Sequence, residues 1–75
     1  MSFDKLKLKK AIGVKLRAAR KAKHYTQQEV ADKVNLTPNY YATLEQGTAI
    51  ASVTTFYEIF EVLDVKASEI FPDKV

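Results

Sequence analysis

Residues 26–47 read Thr26-Gln27-Gln28-Glu29-Val30-Ala31-Asp32-Lys33-Val34-Asn35-Leu36-Thr37-Pro38-Asn39-Tyr40-Tyr41-Ala42-Thr43-Leu44-Glu45-Gln46-Gly47. Thr26 and Glu29 have the spacing of a capping box, in which the Thr hydroxyl accepts from the Glu amide and the Glu side chain reaches back. A helix therefore opens at Thr26, with Val30, Ala31 and Val34 as its apolar face. Asn35 stops it, because Asn tolerates the left-handed conformation that ends a helix. Thr37 starts the next helix as N-cap, and Pro38 fits the first helical position, where a missing N–H costs nothing. Tyr41 and Leu44 share the inward face of that helix, and Gly47 ends it. Only Asn35-Leu36-Thr37 separate the two helices, and so short a turn forces the sharp crossing of a helix-turn-helix.

The flanks add three more helices. Asp4 is a suitable N-cap for a first helix running to about Lys23. Its stripe is Leu8, Ile12, Leu16 and Ala19, with the lysines elsewhere. Gly13 inside it costs about 1 kcal/mol relative to Ala, which a close helix–helix approach would explain. Downstream, Ser52 caps a helix with Val53, Phe56, Ile59, Phe60 and Leu63 on one stripe, closed by Asp64. A last short helix spans Ala67 to Phe71 and ends before Pro72. The fold class expected is all-α, as one domain over residues 1–75.

Composition narrows the function. Apolar residues are 47% of the 75, too many for a disordered chain. Cysteine is absent and His24 is the single histidine, so no thiolate or multi-histidine metal site is expected. No apolar run exceeds three residues, so neither a membrane span nor a secretory apolar core is expected. Charge is segregated. Residues 1–24 hold nine of the twelve cations and one of the nine anions, a net of +8, while residues 25–75 net −5. A basic first third, including an extension over residues 4–10, suits a polyanion touched from one side; a solvated basic helix face would look the same.

The quoted stretch resembles the Cro/phage-repressor family of helix-turn-helix proteins, of the xenobiotic-response-element type. Upstream, Ile12-Gly13…Leu16-Arg17…Arg20-Lys21 is similar to that family's first helix. Downstream, Ser52-Val53…Phe56…Ile59…Leu63…Val65…Glu69-Ile70-Phe71 is similar to its last two. The resemblance spans roughly residues 8–71 and implies a five-helix, repressor-like DNA-binding domain. It places the recognition helix, residues 37–46, in the major groove, with the preceding helix lying across the backbone.

That resemblance assigns base contacts to Pro38, Asn39, Tyr40 and Thr43. Asn39 suits adenine bidentately, and Thr43 suits a thymine methyl or a single donated hydrogen bond. Pro38 offers apolar contact only, and the Tyr40 phenol is either a reader or a plain exposed aromatic. Phosphate contacts are implied for Gln27, Thr37, Arg17 and Lys21. Arg20 and Glu45 match a structural salt bridge between helices 1 and 3. His24 stands where the family often has Gly and is expected in left-handed space with no chemistry.

Three departures stand out. Thr48-Ala49-Ile50-Ala51 lacks the cation that usually follows the glycine. The base-reading positions hold no Arg or Gln. Phe60 replaces a frequent Ala.

The function expected is sequence-specific binding of double-stranded DNA by a small cytoplasmic transcriptional regulator, as a homodimer on a palindromic operator. Ile50, Ile70 and Phe71 are candidate dimer contacts, or simply core. No cofactor, membrane partner or small-molecule substrate is expected. The competing class is a protein-interaction module on the same fold, antitoxin-like or bridging, motivated by the apolar 48–51 loop and by Glu58, Glu61 and Asp64. Catalysis is not expected, since no motif pairs His24 with a nucleophile. A membrane-surface role lacks the aromatic-rich apolar face it needs.

Overall fold

A computed structural model describes residues 3–74. Its helices are α1 (Lys5–Ala22), α2 (Gln27–Lys33), α3 (Pro38–Gln46), α4 (Val53–Leu63) and α5 (Ala67–Ile70), with no strand among the described residues. The all-α, five-helix expectation holds. None of these helices is long and apolar enough to cross a membrane.

The starts follow from side chains that satisfy the otherwise unpaired first-turn amides. Asp4 accepts from the Lys7 amide, Thr26 from Glu29, Thr37 from Tyr40 and Ser52 from Thr55. The reciprocal half of the capping box is present, with the Thr26 amide donating to Glu29 Oε1 at 2.8 Å. That amide and the Thr26 side chain hold the Glu29 carboxyl below its usual range. The stops are left-handed residues. Gly47 ends α3 at φ 79° and Asp64 ends α4 at φ 55°. His24 and Asn35 turn the chain after α1 and α2 at φ 62° and 58°. Where a boundary differs from the sequence reading it does so by one residue, the usual fraying of a helix end.

α1 is the hub. It packs on α3 and α5, while α2 packs on α3 and α4. Ile12 and Leu16 of α1 meet Val30, Ala31, Tyr41, Leu44, Ile59 and Leu63 in the core, with Leu8 and Ala19 partly buried beside them. Gly13 explains its own cost. A Cβ there would collide with the Glu45 carbonyl oxygen and fall 2.8 Å from the Leu44 carbonyl oxygen. The α1 and α3 backbones touch, and only a residue without a side chain allows it.

The apolar stripe of α4 needs correction. Val53 is 69% exposed rather than core. It sits at the first helical position, and burial along α4 begins one turn later, at Phe56. Phe60 has its explanation in an aromatic cluster. It packs against Phe56 at 6.0 Å, edge-on to Phe71 at 5.2 Å and edge-on to Tyr57 at 5.5 Å between ring centroids. Phe71 therefore staples α5 to α4. Ile70 is buried at 3% exposure, which removes it as a dimer contact, while Ile50 stays exposed.

Replacing Gly13 by Ala tests the α1–α3 contact. Helix propensity alone favours the change by about 1 kcal/mol. Forcing a methyl against two carbonyl oxygens costs more, so a net loss of about 1–3 kcal/mol is expected. A lowered midpoint in urea unfolding checks it; an unchanged or raised midpoint would mean the helices are free to part there.

Candidate nucleic-acid interface

The site is built on α3. Its inward residues Tyr41, Leu44 and Glu45 are buried, which turns Pro38, Asn39 and Tyr40 to solvent and leaves Thr43 half-buried. Asn39, Thr43 and Gln46 follow one another at intervals of four and three, so they form one outward edge. Gln46 was not among the residues singled out from sequence, although this spacing points to it.

Two hydroxyls on α3 are already partly used. Thr37 Oγ1 accepts from the Tyr40 amide at 3.1 Å, which leaves its proton free for an outside acceptor. Thr43 Oγ1 donates to the Tyr40 carbonyl at 2.6 Å. Of the two expectations for Thr43, the thymine methyl contact needs no change in this arrangement, whereas donation to a base needs the hydroxyl to turn away from Tyr40. In the free chain Thr43 therefore presents its methyl group and acceptor lone pairs outward.

A buried polar lock sets the pose of α3. Arg20 Nε donates to Glu45 Oε2 at 2.7 Å, and Arg20 Nη2 donates to Oε1 at 3.0 Å. Gln27 Nε2 donates to the same Oε1 at 3.0 Å. Arg20 Nη1 donates to the Tyr25 carbonyl at 2.9 Å, tying in the α1–α2 turn. One carboxylate thus joins α1, the first residue of α2 and the last turn of α3. The expected Arg20–Glu45 pair is present, and Gln27 bonds the same carboxylate, so it braces α3 as well. One Nε2 hydrogen of Gln27 remains for another acceptor.

The ionisation of these groups follows their packing. Burial pushes the Glu45 carboxyl up, but hydrogen bonds from Arg20 and Gln27 outweigh it and hold the group below its usual range. The hydrogen bond to Glu45 raises Arg20 against the opposing effect of burial. The Tyr41 hydroxyl is buried beside them without hydrogen-bond geometry to any described residue. Burial, and then the Glu45 carboxylate, push its ionisation up.

Beside α3 lies an open recess of about 870 Å³. It brings together Arg17 and Lys21 of α1, Gln27 and Gln28 of α2, and Pro38 and Gln46 of α3. Four of the residues expected at the site (Arg17, Lys21, Gln27, Pro38) therefore share one basic concavity. Thr37, Asn39, Tyr40 and Thr43 lie outside it, along α3. Gln28 is a further lining residue that sequence reading did not single out. Among the described residues no cluster of His, Asp or Glu could hold a metal ion.

This arrangement is a basic recess flanking an exposed helix edge. The sequence matches the helix-turn-helix family over residues 16–70. The chain belongs to that family, of the Cro/C1 type, a class of DNA-binding transcription regulators. Among solved structures it is similar to the clp gene regulator ClgR from Corynebacterium glutamicum. The TM-score there is 0.81 at 27% identity, covering 84% of this chain and 67% of that one. It is also similar to the restriction-modification controller protein C.AhdI from Aeromonas hydrophila. There the TM-score is 0.77 at 27% identity, covering 83% of this chain and 94% of that one. The DNA-binding domain of BldD shares the fold at 24% identity and a TM-score of 0.78, over 96% of this chain and all of that one. No curated protein matches the sequence.

Glu45→Gln tests the lock. It leaves the Arg20 charge buried without its counter-ion and is expected to cost about 3–5 kcal/mol. The depressed Glu45 value stabilises the fold above the ordinary carboxyl value of 4.5, and that contribution is lost as pH falls through the lower folded value. The gap between wild type and Glu45→Gln in urea unfolding should therefore be widest at neutral pH and narrow below 4.5. A gap that does not change with pH would show that the carboxylate charge contributes nothing.

Proposed function

We propose that this chain binds double-stranded DNA sequence-specifically as a small transcriptional regulator. In this reading α3 enters the major groove, and two copies bind a palindromic operator in the cytoplasm. The observation that carries the reading is the combination at α3. A three-donor lock on Glu45 fixes the helix in place, while Pro38, Asn39, Tyr40 and Thr43 remain on its open side. A major groove admits one α-helix and shows a distinct donor and acceptor pattern for each base pair. Asn39 has the amide that reads adenine. Thr43 offers a methyl for thymine, or a lone pair for an adenine or cytosine amino group.

The remaining assignments concern the backbone. Arg17 and Lys21 supply charge on one wall of the recess, and Gln27 keeps an amide hydrogen for a phosphate oxygen. The Thr37 hydroxyl proton has the same use. Such contacts fix register and orientation, whereas base edges carry the sequence information. A single module of this size reads only a few base pairs. Two modules on half-sites about one helical turn apart multiply affinity and specificity. The resemblance to the clp gene regulator ClgR and to the restriction-modification controller protein C.AhdI supports the regulatory part.

A second reading is favoured by one surface. Val53 and Tyr57 are exposed on α4, with Ile50 ahead of them and Glu58 and Glu61 alongside. An apolar edge flanked by carboxylates suits a protein partner rather than a polyanion. Gel shifts on mixed-sequence duplex separate the two: absence of any shift at low salt would leave the protein-interaction reading in place.

Randomised-duplex selection tests the groove assignment. Asn39→Ala should relax preference at one position by about 1–3 kcal/mol. Gln27→Ala should weaken binding to every sequence alike and leave the selected site unchanged. If both variants match wild type in affinity and in selected site, α3 does not read bases in this way.

A further inference from the structure

The helix proposed to enter the groove has no positive charge of its own. From Val34 to Val65 the chain contains no Lys or Arg, but it contains Glu45, Glu58, Glu61 and Asp64. Any neutralisation of the phosphate ridges beside α3 has to come from elsewhere, and α1 is the element packed along it.

Where the two helices touch, Lys10 meets Gly47 and Gly13 meets Leu44 and Glu45, so rising numbers on α1 meet falling numbers on α3. Pro38 and Gln46, the first and last residues of α3, both line the basic recess with Arg17 and Lys21. Gly47, the residue that ends α3, lies against Lys10. A Cβ on Gly47 would fall 2.8 Å from Lys10 Cα and 2.9 Å from Lys10 Cγ. The stem of Lys10 is therefore held at the C-terminal end of α3, while the residue itself stays exposed. Lys10, Arg17 and Lys21 are seven and four residues apart, two turns and one turn, so they occupy one side of α1. At 1.5 Å per residue they span about 16 Å, close to the roughly 14 Å length of α3. A row of three cations on α1 thus lies beside α3, with Arg17 and Lys21 at the recess that both ends of α3 line and Lys10 against Gly47.

We propose that Lys10 is a DNA-backbone contact at the C-terminal end of α3. It would continue the phosphate row begun by Arg17 and Lys21 and supply from α1 the charge that Thr48-Ala49-Ile50-Ala51 does not carry. This inference rests on the DNA-binding reading above and deepens it. A helix in the major groove runs between two sugar–phosphate ridges, and a cation row parallel to that helix meets one ridge at successive phosphates. A contact to phosphate carries no sequence information, so the contribution of Lys10 is independent of sequence. Its packed stem makes the contact cheaper in entropy than a free lysine would.

The test is the salt dependence of binding to a fluorescently labelled mixed-sequence duplex. Each phosphate contact contributes about −0.9 to the slope of log K against log salt concentration. Lys10→Gln keeps most of the stem against Gly47 and removes the charge. Its slope should be shallower than wild type by about 0.9, with affinity about eightfold weaker near 0.1 M salt. Lys10→Arg should restore the slope. Lys15→Gln is the control for net charge alone, because Lys15 lines a different recess, against Ser68 to Asp73; its slope should match wild type. Thermal melting of the same variants covers the other role open to Lys10, since α3 has no basic residue in its last turn. A lower melting midpoint with a wild-type slope would mean that Lys10 only complements the end of α3, and the inference fails. An equal loss of slope in Lys10→Gln and Lys15→Gln also overturns it, because charge rather than position would then be responsible. A wild-type protein that binds no duplex at any salt overturns the DNA reading itself, which distinguishes the two failures.

Discussion

The Glu45 carboxylate is the point on which the arrangement of the helices depends. Three donors reach it from two other helices, Arg20 twice and Gln27 once. Directly behind it, Gly13 lets α1 touch the Leu44–Glu45 backbone. A buried ion pair is a weak source of net stability, because the cost of desolvating both charges offsets most of their attraction. Its value here is geometric. An apolar contact between α1 and α3 tolerates sliding, whereas a forked guanidinium–carboxylate pair has one orientation. Gln27 extends the same constraint to α2. The angle between the two helices of the helix-turn-helix is therefore set by directional bonds as well as by the apolar core.

Such bonds matter because the helices are short. α2 has seven residues and α3 nine, and helices of this length are not stable alone in water. Their ends are consequently specified in detail. Asp4, Thr26, Thr37 and Ser52 each satisfy a first-turn amide, typically worth about 1 kcal/mol apiece. Left-handed stops at His24, Asn35, Gly47 and Asp64 then prevent each helix from overrunning into its neighbour. Caps and stops fix the lengths, the core fixes the packing, and the Glu45 lock fixes the pose.

This division explains what was legible in the sequence. Caps and stops act within a few residues, so Thr26 with Glu29, Thr37 with Pro38, and Gly47 could be read directly. The stripe of α1 was legible because Ile12 and Leu16 recur at the helical period. Arg20 and Glu45, 25 positions apart, were found through family resemblance and not through any local pattern. What escaped depends on tertiary neighbours. Periodicity placed Val53 on the core stripe, but it cannot say that α4 meets its neighbours only from Phe56 onward. One miss was local instead: the Thr43 hydroxyl donates to the Tyr40 carbonyl three residues earlier, a bond open to any helical Thr. Gly47 read as a cap, which it is, yet the Lys10 backbone pressed against it is a second reason for glycine that only the fold reveals.

The segregation of charge gains a physical meaning from this geometry. On the proposed reading, α3 meets bases with short neutral side chains, while α1 carries the cations that meet phosphates. A lysine on the outward edge of α3 would reach the nearest phosphate whatever the sequence, adding affinity without discrimination. Removing cations from that edge leaves base contacts there as the main source of preference. The same choice limits strength, because Asn and Thr offer fewer or weaker pairings than Arg to guanine. A domain that divides the work in this way draws its affinity from a row of charges on one helix and its preference from a neighbouring helix. The Glu45 lock connects the two, since a phosphate gripped by α1 constrains the position of bases under α3 only if the helices cannot move against each other.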